Sequence, residues 1–452
     1  MKKRFLIWVC IISVLLSGCG AAGTGNETQT DGQMPDMKEE EDGASGEVPS
    51  AVPWICVNRM GYEPDQEKLA IFRGESLPDT FVLRDAETRQ IVYTGVVENK
   101  GNDSAGTEYT GYGDFSEYRI PGNYYIQTDL YGESYPFLIH DHLEYSLFLR
   151  ACGRLHAMRG SSAGWELAGT GEDKVTDACR SMYRLLLSYE MFPEVYTDDT
   201  GIPESGNETA DILDECRYEA RWLIGQAQAE GSSGRTCAYL AATLAKYAYQ
   251  IRGTETELAG ECLQAAETAW KCAEKDLFVS DDLIALAAAE LYRLTGSGQY
   301  LGLAEEYLGN STEKAGRLSD AEFFGSITYM NTRNDVDIEL CNAMMQKIME
   351  EAEEMAQKSK ESDFLVCSED EIGLLGSILE QTVRICVVNH IITNHEYSTV
   401  IENQLHYLMG RNPDSICHVS WQDGQEQTGD VMENVVQISS LLFILSERLS
   451  NP

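Results

Sequence analysis

Three carboxylates, Asp211, Asp214 and Glu215, stand at i, i+3 and i+4, a spacing that puts them together near the start of a helix. Hard cations take several oxygens at once, so the trio is a candidate structural calcium site. The same placement suits a helix N-terminus, where negative charge meets the positive end of the dipole, and helix capping is the simpler role. Flat apolar rings are the second chemical resource: Trp165, Trp222, Trp270 and Trp421 could stack on sugars. Trp222 and Trp270 fall inside helical patterns and read as core, which leaves Trp421, in a polar loop, and then Trp165 to meet a glycan. Apart from calcium, nothing calls for a cofactor. No Cys-x-x-Cys occurs, so a zinc site is not expected.

The chain opens with Lys2, Lys3 and Arg4 and an apolar run from Phe5 to Leu16, too short to span a bilayer and of the kind that directs export. It ends in Leu16-Ser17-Gly18-Cys19, which looks like a bacterial lipobox. Cleavage would leave Cys19 as a lipidated N-terminus holding the protein to the outer face of the membrane. Residues 20–50, rich in Gly, Thr, Asp, Glu and Ser, bury too little to offset the entropy of ordering and read as a tether. With 34 basic against 74 acidic residues the formal charge is −40, which repels phosphate backbones and excludes nucleic acid as a partner while leaving neutral polysaccharide open. Of 13 cysteines, Cys10 leaves with the signal and Cys19 takes the lipid, leaving an odd 11. No regular disulfide framework is expected, and Cys262, Cys272 and Cys386 read as small buried thiols.

The elements that must position these groups change character near His140. Before it, short β-type runs (Lys68–Phe72, Thr80–Leu83, Ile91–Tyr93, Glu117–Ile120, Tyr124–Thr128, Tyr135–Ile139) alternate with Gly and Pro turns, the pattern of a small β-sandwich over residues 51–141. After it, eleven helical stretches follow: Glu144–Met158, Val175–Met191, Asp211–Gln228, Arg235–Arg252, Glu255–Lys275, Asp281–Thr295, Gln299–Leu308, Val336–Ser359, Glu371–Thr393, Tyr397–Leu408 and Val431–Leu449. Paired helices in a ring fit that number.

Specific motifs narrow the reading. Val57-Asn-Arg-Met-Gly-Tyr62, Asp114-Phe-Ser116, Pro121-Gly-Asn-Tyr124 and Ser134-Tyr-Pro-Phe137 resemble, in order, the immunoglobulin-like domain preceding the barrel in one branch of the family 9 glycoside hydrolases. Tyr189-Glu-Met-Phe-Pro193, Ile202-Pro-Glu-Ser-Gly-Asn207, Asp211-Ile-Leu-Asp-Glu215, Ala287-Ala-Ala-Glu-Leu-Tyr292, Leu294-Thr-Gly296 and Tyr407-Leu-Met-Gly-Arg-Asn-Pro413 are similar to runs in that family's catalytic domain. The resemblance spans Trp54 to Leu449. It implies an Ig-like β-sandwich followed by an (α/α)6 barrel over residues 142–452 and, in active members, inverting hydrolysis of β-1,4-glucan.

Inversion needs two carboxyl groups about 6.5–9.5 Å apart, one giving a proton to the leaving oxygen and one activating water. The family's base segment is Trp-x-Asp-Ala-Gly-Asp. Gapless spacing back from Glu190 places Trp165 on its tryptophan and Ala168-Gly169 on its Ala-Gly, so Leu167 and Thr170 occupy the two aspartate positions. Neither side chain is a base at neutral pH. Glu172, Asp173 or Asp177 would have to replace them after a loop shift. After Pro413, residues 414–430 lack the family's His- and Arg-bearing loop, and His418 stands at what looks like a tyrosine position. Glu433, in Met432-Glu-Asn-Val-Val-Gln-Ile438, aligns with the family's general acid; its plainer reading is a carboxylate at a helix N-terminus. Three functions remain open: a degenerate glucan-binding surface protein, an active endoglucanase with a relocated base, and a structural protein-binding module.

Overall fold

The computed structural model describes residues 54–103, 106–161, 164–167, 169–367, 375–419 and 431–451. Cys19, the expected tether, Ala168 and Trp421 lie outside them.

The first part is a two-layered β-domain of antiparallel strands: β1 Ile55–Cys56, β2 Leu69–Gly74, β3 Thr80–Asp85, β4 Ile91–Asn102, β5 Tyr109–Asp114, β6 Gly122–Thr128, β7 Gly132–Glu133 and β8 Phe137–Ile139. The strand order is β1-β2-β5-β4-β3-β6-β7, with β8 also on β6. The long β4 joins the layers: Ile91–Val96 pairs with β3, and Val97–Asn102 pairs with β5. Gly95 marks the crossing, because a Cβ there would lie 2.3 Å from the Phe81 ring. Buried Tyr62, Phe72, Phe81, Phe115 and Phe137 fill the space between. The expected strand Glu117–Ile120 is a turn and irregular chain instead. Its place is taken by β5, whose Gly111 and Gly113 hide the strand pattern yet are required where Val97, Leu77, Phe72 and Phe81 press in.

The second part contains, among the described residues, twelve α-helices: α1 Leu143–Ala157, α2 Glu172–Met191, α3 Asp211–Ala227, α4 Gly234–Ile251, α5 Thr256–Ala273, α6 Asp281–Thr295, α7 Gly298–Glu313, α8 Asp320–Met330, α9 Ile338–Glu361, α10 Leu375–Ile391, α11 His395–Leu408 and α12 Val435–Ser450. Even-numbered helices form the inner ring. Helix α2 packs on α4, α4 on α6, α6 on α8, α10 on α12 and α12 on α2, while Arg384 of α10 closes the circle on Asp320 of α8 at 2.7 Å. Burial separates the rings. Outer α9 buries one stripe, Cys341, Met344, Ile348, Ala352 and Met355, at helical spacing; inner α12 buries every residue from Ile438 to Glu447.

That difference explains the helix the sequence pattern misses. Ala321–Tyr329 of α8 is buried throughout, so no polar face produces a 3.6-residue rhythm. The readable signal was its start, where Ser319 and Glu322 form a reciprocal capping box. The cysteine expectation also needs one correction. Cys272 is bonded to Cys237, joining α5 to α4, whereas Cys262 and Cys386 are buried free thiols.

The two parts meet through motifs from opposite ends of the chain. Asn58 Nδ2 lies 2.9 Å from His406 Nδ1, the Arg59 backbone N–H donates to the Met409 carbonyl, and Arg59 donates to the Ser415 carbonyl. Gly410, at φ +118°, leaves room for Arg59, whose Cγ would sit 2.8 Å from a Cβ there. Val57–Tyr62 and Tyr407–Pro413 are therefore the two halves of one joint.

Candidate active site

The first turns of the inner helices gather at one end of the ring. The Glu172 carboxylate at the start of α2 accepts from the Ser233 N–H (2.8 Å) and hydroxyl (2.5 Å) at the start of α4. Ser319, capping α8, donates to Asp282 of α6 at 2.6 Å. Glu433 belongs to this rim. It closes a 3-10 turn, Val431–Glu433, immediately before α12, with Asn434 as N-cap. That turn is held by the Val431 N–H on the His418 carbonyl and by Arg154 Nε on the Met432 carbonyl, both at 2.8 Å. Val431 and Met432 are buried, and Glu433 is exposed in the positive field of the helix start. His418, half-buried, serves this turn through its backbone, and burial lowers its imidazole below the usual value.

Helix α2 is the inner-ring neighbour of α12, and the loop entering it carries the positions expected to hold the base. Trp165 is fully buried; its backbone N–H donates to Glu219 Oε2 at 2.7 Å. It presents no face for a sugar, which corrects the expectation of stacking at this ring. Beside it, Gly164 at φ +76° lets Trp222 approach, since a Cβ would lie 2.8 Å from the indole. Leu167 is half-buried against the core, and Thr170 is exposed.

The candidate replacement bases differ in how free they are. Glu172 is committed: hydrogen bonds from Ser233, and then from Thr236, hold its carboxyl below the usual range. Asp173 is exposed on the first turn of α2. Asp177 is half-buried; burial raises its proton affinity, opposed by Arg180, whose NH1 lies 3.8 Å away.

Beyond Asp177 lies a set of charges not anticipated from the sequence. Arg180 reaches Glu380 of α10 at 2.5 Å and Asp320 of α8 at 3.6 Å. Buried Arg184 donates to Ser440 and the Val436 carbonyl of α12. Because α2 has α4 and α12 as ring neighbours, the Arg180 pairs cross the interior of the ring, while Arg184 ties α2 to the adjacent α12. Asp177, Arg180 and Arg184 at i, i+3 and i+7 on one helical face were the available signal.

The expected calcium trio does not converge. Asp211 accepts from Thr200 N–H and hydroxyl and from Ser205. Asp214 takes Asn207 and Arg217, while Glu215 takes His156 and Arg159. Each carboxylate is turned to a different partner, and no group of three or more metal-binding side chains occurs among the described residues. A cavity of about 540 Å³ lies elsewhere, where Glu67 and Tyr112 of the β-domain face Lys360, His395 and Asn403; neither Glu433 nor the 164–173 loop lines it.

Glu219 supplies a pH test of this loop. Burial, partly offset by the Trp165 N–H, lifts its carboxyl to about 7. A carboxyl raised above its unfolded value contributes stability that is complete below about pH 4.5 and is lost as pH rises through about 7. Glu219→Gln keeps the acceptor without the charge. The variant should match wild type near pH 4.5 and exceed it by about 1–3 kcal/mol at pH 8, read by urea unfolding. Parallel curves for the two proteins would refute the assignment.

Comparison with known proteins agrees with this architecture. Residues 50–133 match the cellulase N-terminal ig-like domain, and residues 226–425 match glycosyl hydrolase family 9. Endoglucanase D of Acetivibrio thermocellus is 22% identical over a 457-residue alignment covering 79% of this chain and 71% of that protein. A xyloglucan-specific endo-beta-1,4-glucanase of Bacteroides ovatus is 26% identical over 216 residues, 38% of this chain and 36% of that protein. Among solved structures, a metagenome-derived glycoside hydrolase family 9 endoglucanase superposes with a TM-score of 0.74 at 18% identity, over 88% of this chain and 99% of that one. A thermostable endoglucanase from Alicyclobacillus acidocaldarius gives 0.70 at 17% identity, over 88% and 99%. These structures share the fold of this chain, an Ig-like domain followed by the helical barrel.

Proposed function

We propose that this chain, whose residues 226–425 match glycosyl hydrolase family 9, is an endoglucanase-like member of that family that binds β-glucan at the barrel rim but has lost inverting turnover. The observation that carries the reading is the loop before α2. Where a base is needed it offers Leu167, turned to the core, and Thr170, and the adjacent Glu172 carboxylate is occupied by Ser233 and Thr236. An acid at Glu433 without a base on the facing loop can donate a proton but cannot activate the water that inversion requires.

Asp177 favours a second reading, an active hydrolase with a relocated base. Its raised proton affinity and partial exposure are properties of a general base, although Arg180 already claims it. One paired experiment separates the readings: reducing-sugar release from soluble β-glucan by wild type and Glu433→Gln, with calorimetric binding of cello-oligosaccharides by both. Binding without release is the expected result. Release abolished by the substitution would establish the active enzyme, and neither binding nor release would leave a structural, protein-binding module.

The same proposal places the protein on the outer face of a bacterial membrane through lipid on Cys19, the small-residue run before that cysteine being its support. Labelled palmitate should enter wild type and not Cys19→Ala, and the variant should leave the membrane fraction. Equal labelling of both would end that part of the reading.

A further inference from the structure

Two large apolar side chains stand almost wholly in water at the rim: Leu277 is 94% exposed and Phe278 97%. They occupy the connection between α5 and α6, which enters the inner ring beside the start of α4. That connection is built to hold them still. Asp276 accepts the Phe278 N–H through one carboxylate oxygen (3.0 Å) and the Gly234 N–H, at the first residue of α4, through the other (2.9 Å). Gly234 has no room for a side chain, because a Cβ would lie 2.3 Å from Val279 and 2.4 Å from Asp276. The Cys237–Cys272 bond ties α4 to α5 just behind. A loop so pinned does not expose its two most apolar residues through slackness, and their burial against a partner is worth far more than scattered surface contacts.

Resting on the glucan-binding reading, we infer that Phe278 is a stacking platform for a β-glucan chain that extends across the barrel mouth from the Glu433 side. The ring offers a flat apolar face to the axial hydrogens of a pyranose, and exposed Glu274 and Asp281 beside it offer acceptors for its hydroxyls. Glu274, Asp276 and Asp281 outnumber exposed Lys275 around the tip, and the net negative charge disfavours insertion of Leu277–Phe278 among anionic lipid heads. A chain long enough to reach the platform gains from it; a short one bound near Glu433 does not.

The test is calorimetric binding of cellotriose and cellohexaose to the full chain and to Phe278→Ala and Phe278→Trp, each with its unfolding temperature. Phe278→Ala should weaken cellohexaose about five- to tenfold, leave cellotriose and thermal stability unchanged, and be rescued by Phe278→Trp. If wild type binds cellohexaose and Phe278→Ala binds it equally, the platform is refuted while the glucan-binding reading stands. If wild type binds neither sugar, the broader reading falls first. Co-sedimentation with phosphatidylcholine vesicles that depends on Phe278, with sugar binding unaffected, would overturn the inference in favour of a membrane contact.

Discussion

Trp165→Ala lowers the stability of the folded chain by about 3–5 kcal/mol, the cost of deleting a large buried aromatic and leaving a cavity. Burial of the ring sets that size, and the fixed backbone around it leaves the site little freedom to collapse. The indole is fully buried within the barrel core, its backbone N–H is held by Glu219, and Gly164 next to it is pressed against Trp222. A solvent-facing sugar platform would behave oppositely, losing glycan affinity with little change in folding. Chemical denaturation of Trp165→Ala and calorimetry of Trp165→Phe with cellohexaose distinguish the two. Loss of affinity in Trp165→Phe with unchanged stability in Trp165→Ala would restore Trp165 to the binding surface.

Glu290→Ala is expected to cost a similar 3–5 kcal/mol, because it breaks a buried ionic network from one side. Glu290 is fully buried on α6 and accepts from Tyr183 (2.7 Å), Thr328 (2.7 Å) and Lys246 (3.4 Å). Lys246, 2% exposed, would keep Glu190 at 3.1 Å as its carboxylate partner. Glu190 in turn binds Arg293 and Asn331; although burial opposes ionisation, Lys246 and Arg293 bring its carboxyl down to about 2. Glu290→Gln preserves the acceptor oxygen and should lose less than half as much as Glu290→Ala in urea unfolding. An alanine variant within about 1 kcal/mol of wild type would show that the network relaxes or admits water.

The network also tells what two of the motifs are for. Tyr189-Glu-Met-Phe-Pro193 and Ala287-Ala-Ala-Glu-Leu-Tyr292 lie about a hundred residues apart, yet Glu190 and Glu290 share Lys246 inside the ring. Their carboxylates tie inner helices α2, α4 and α6 together. Likewise Tyr407–Pro413 joins the barrel to the β-domain through Arg59.

Local order determined what the sequence alone could tell. Residue-to-residue rhythm marked the change from strands to helices near His140, and capping and turn residues marked most boundaries, because both depend on neighbours within a few positions. The expectation that Leu167 and Thr170 stand where the resemblance puts a base likewise rested on spacing along one loop. What required the tertiary structure were the environments. Burial decided that Trp165 is core, partners from α4 decided that Glu172 is spoken for, and the ring closure brought Arg180 onto Asp320 and Glu380 from helices far along the chain. The fate of a charge or a ring depends on its solvent and its partners, and those are set by packing among distant segments.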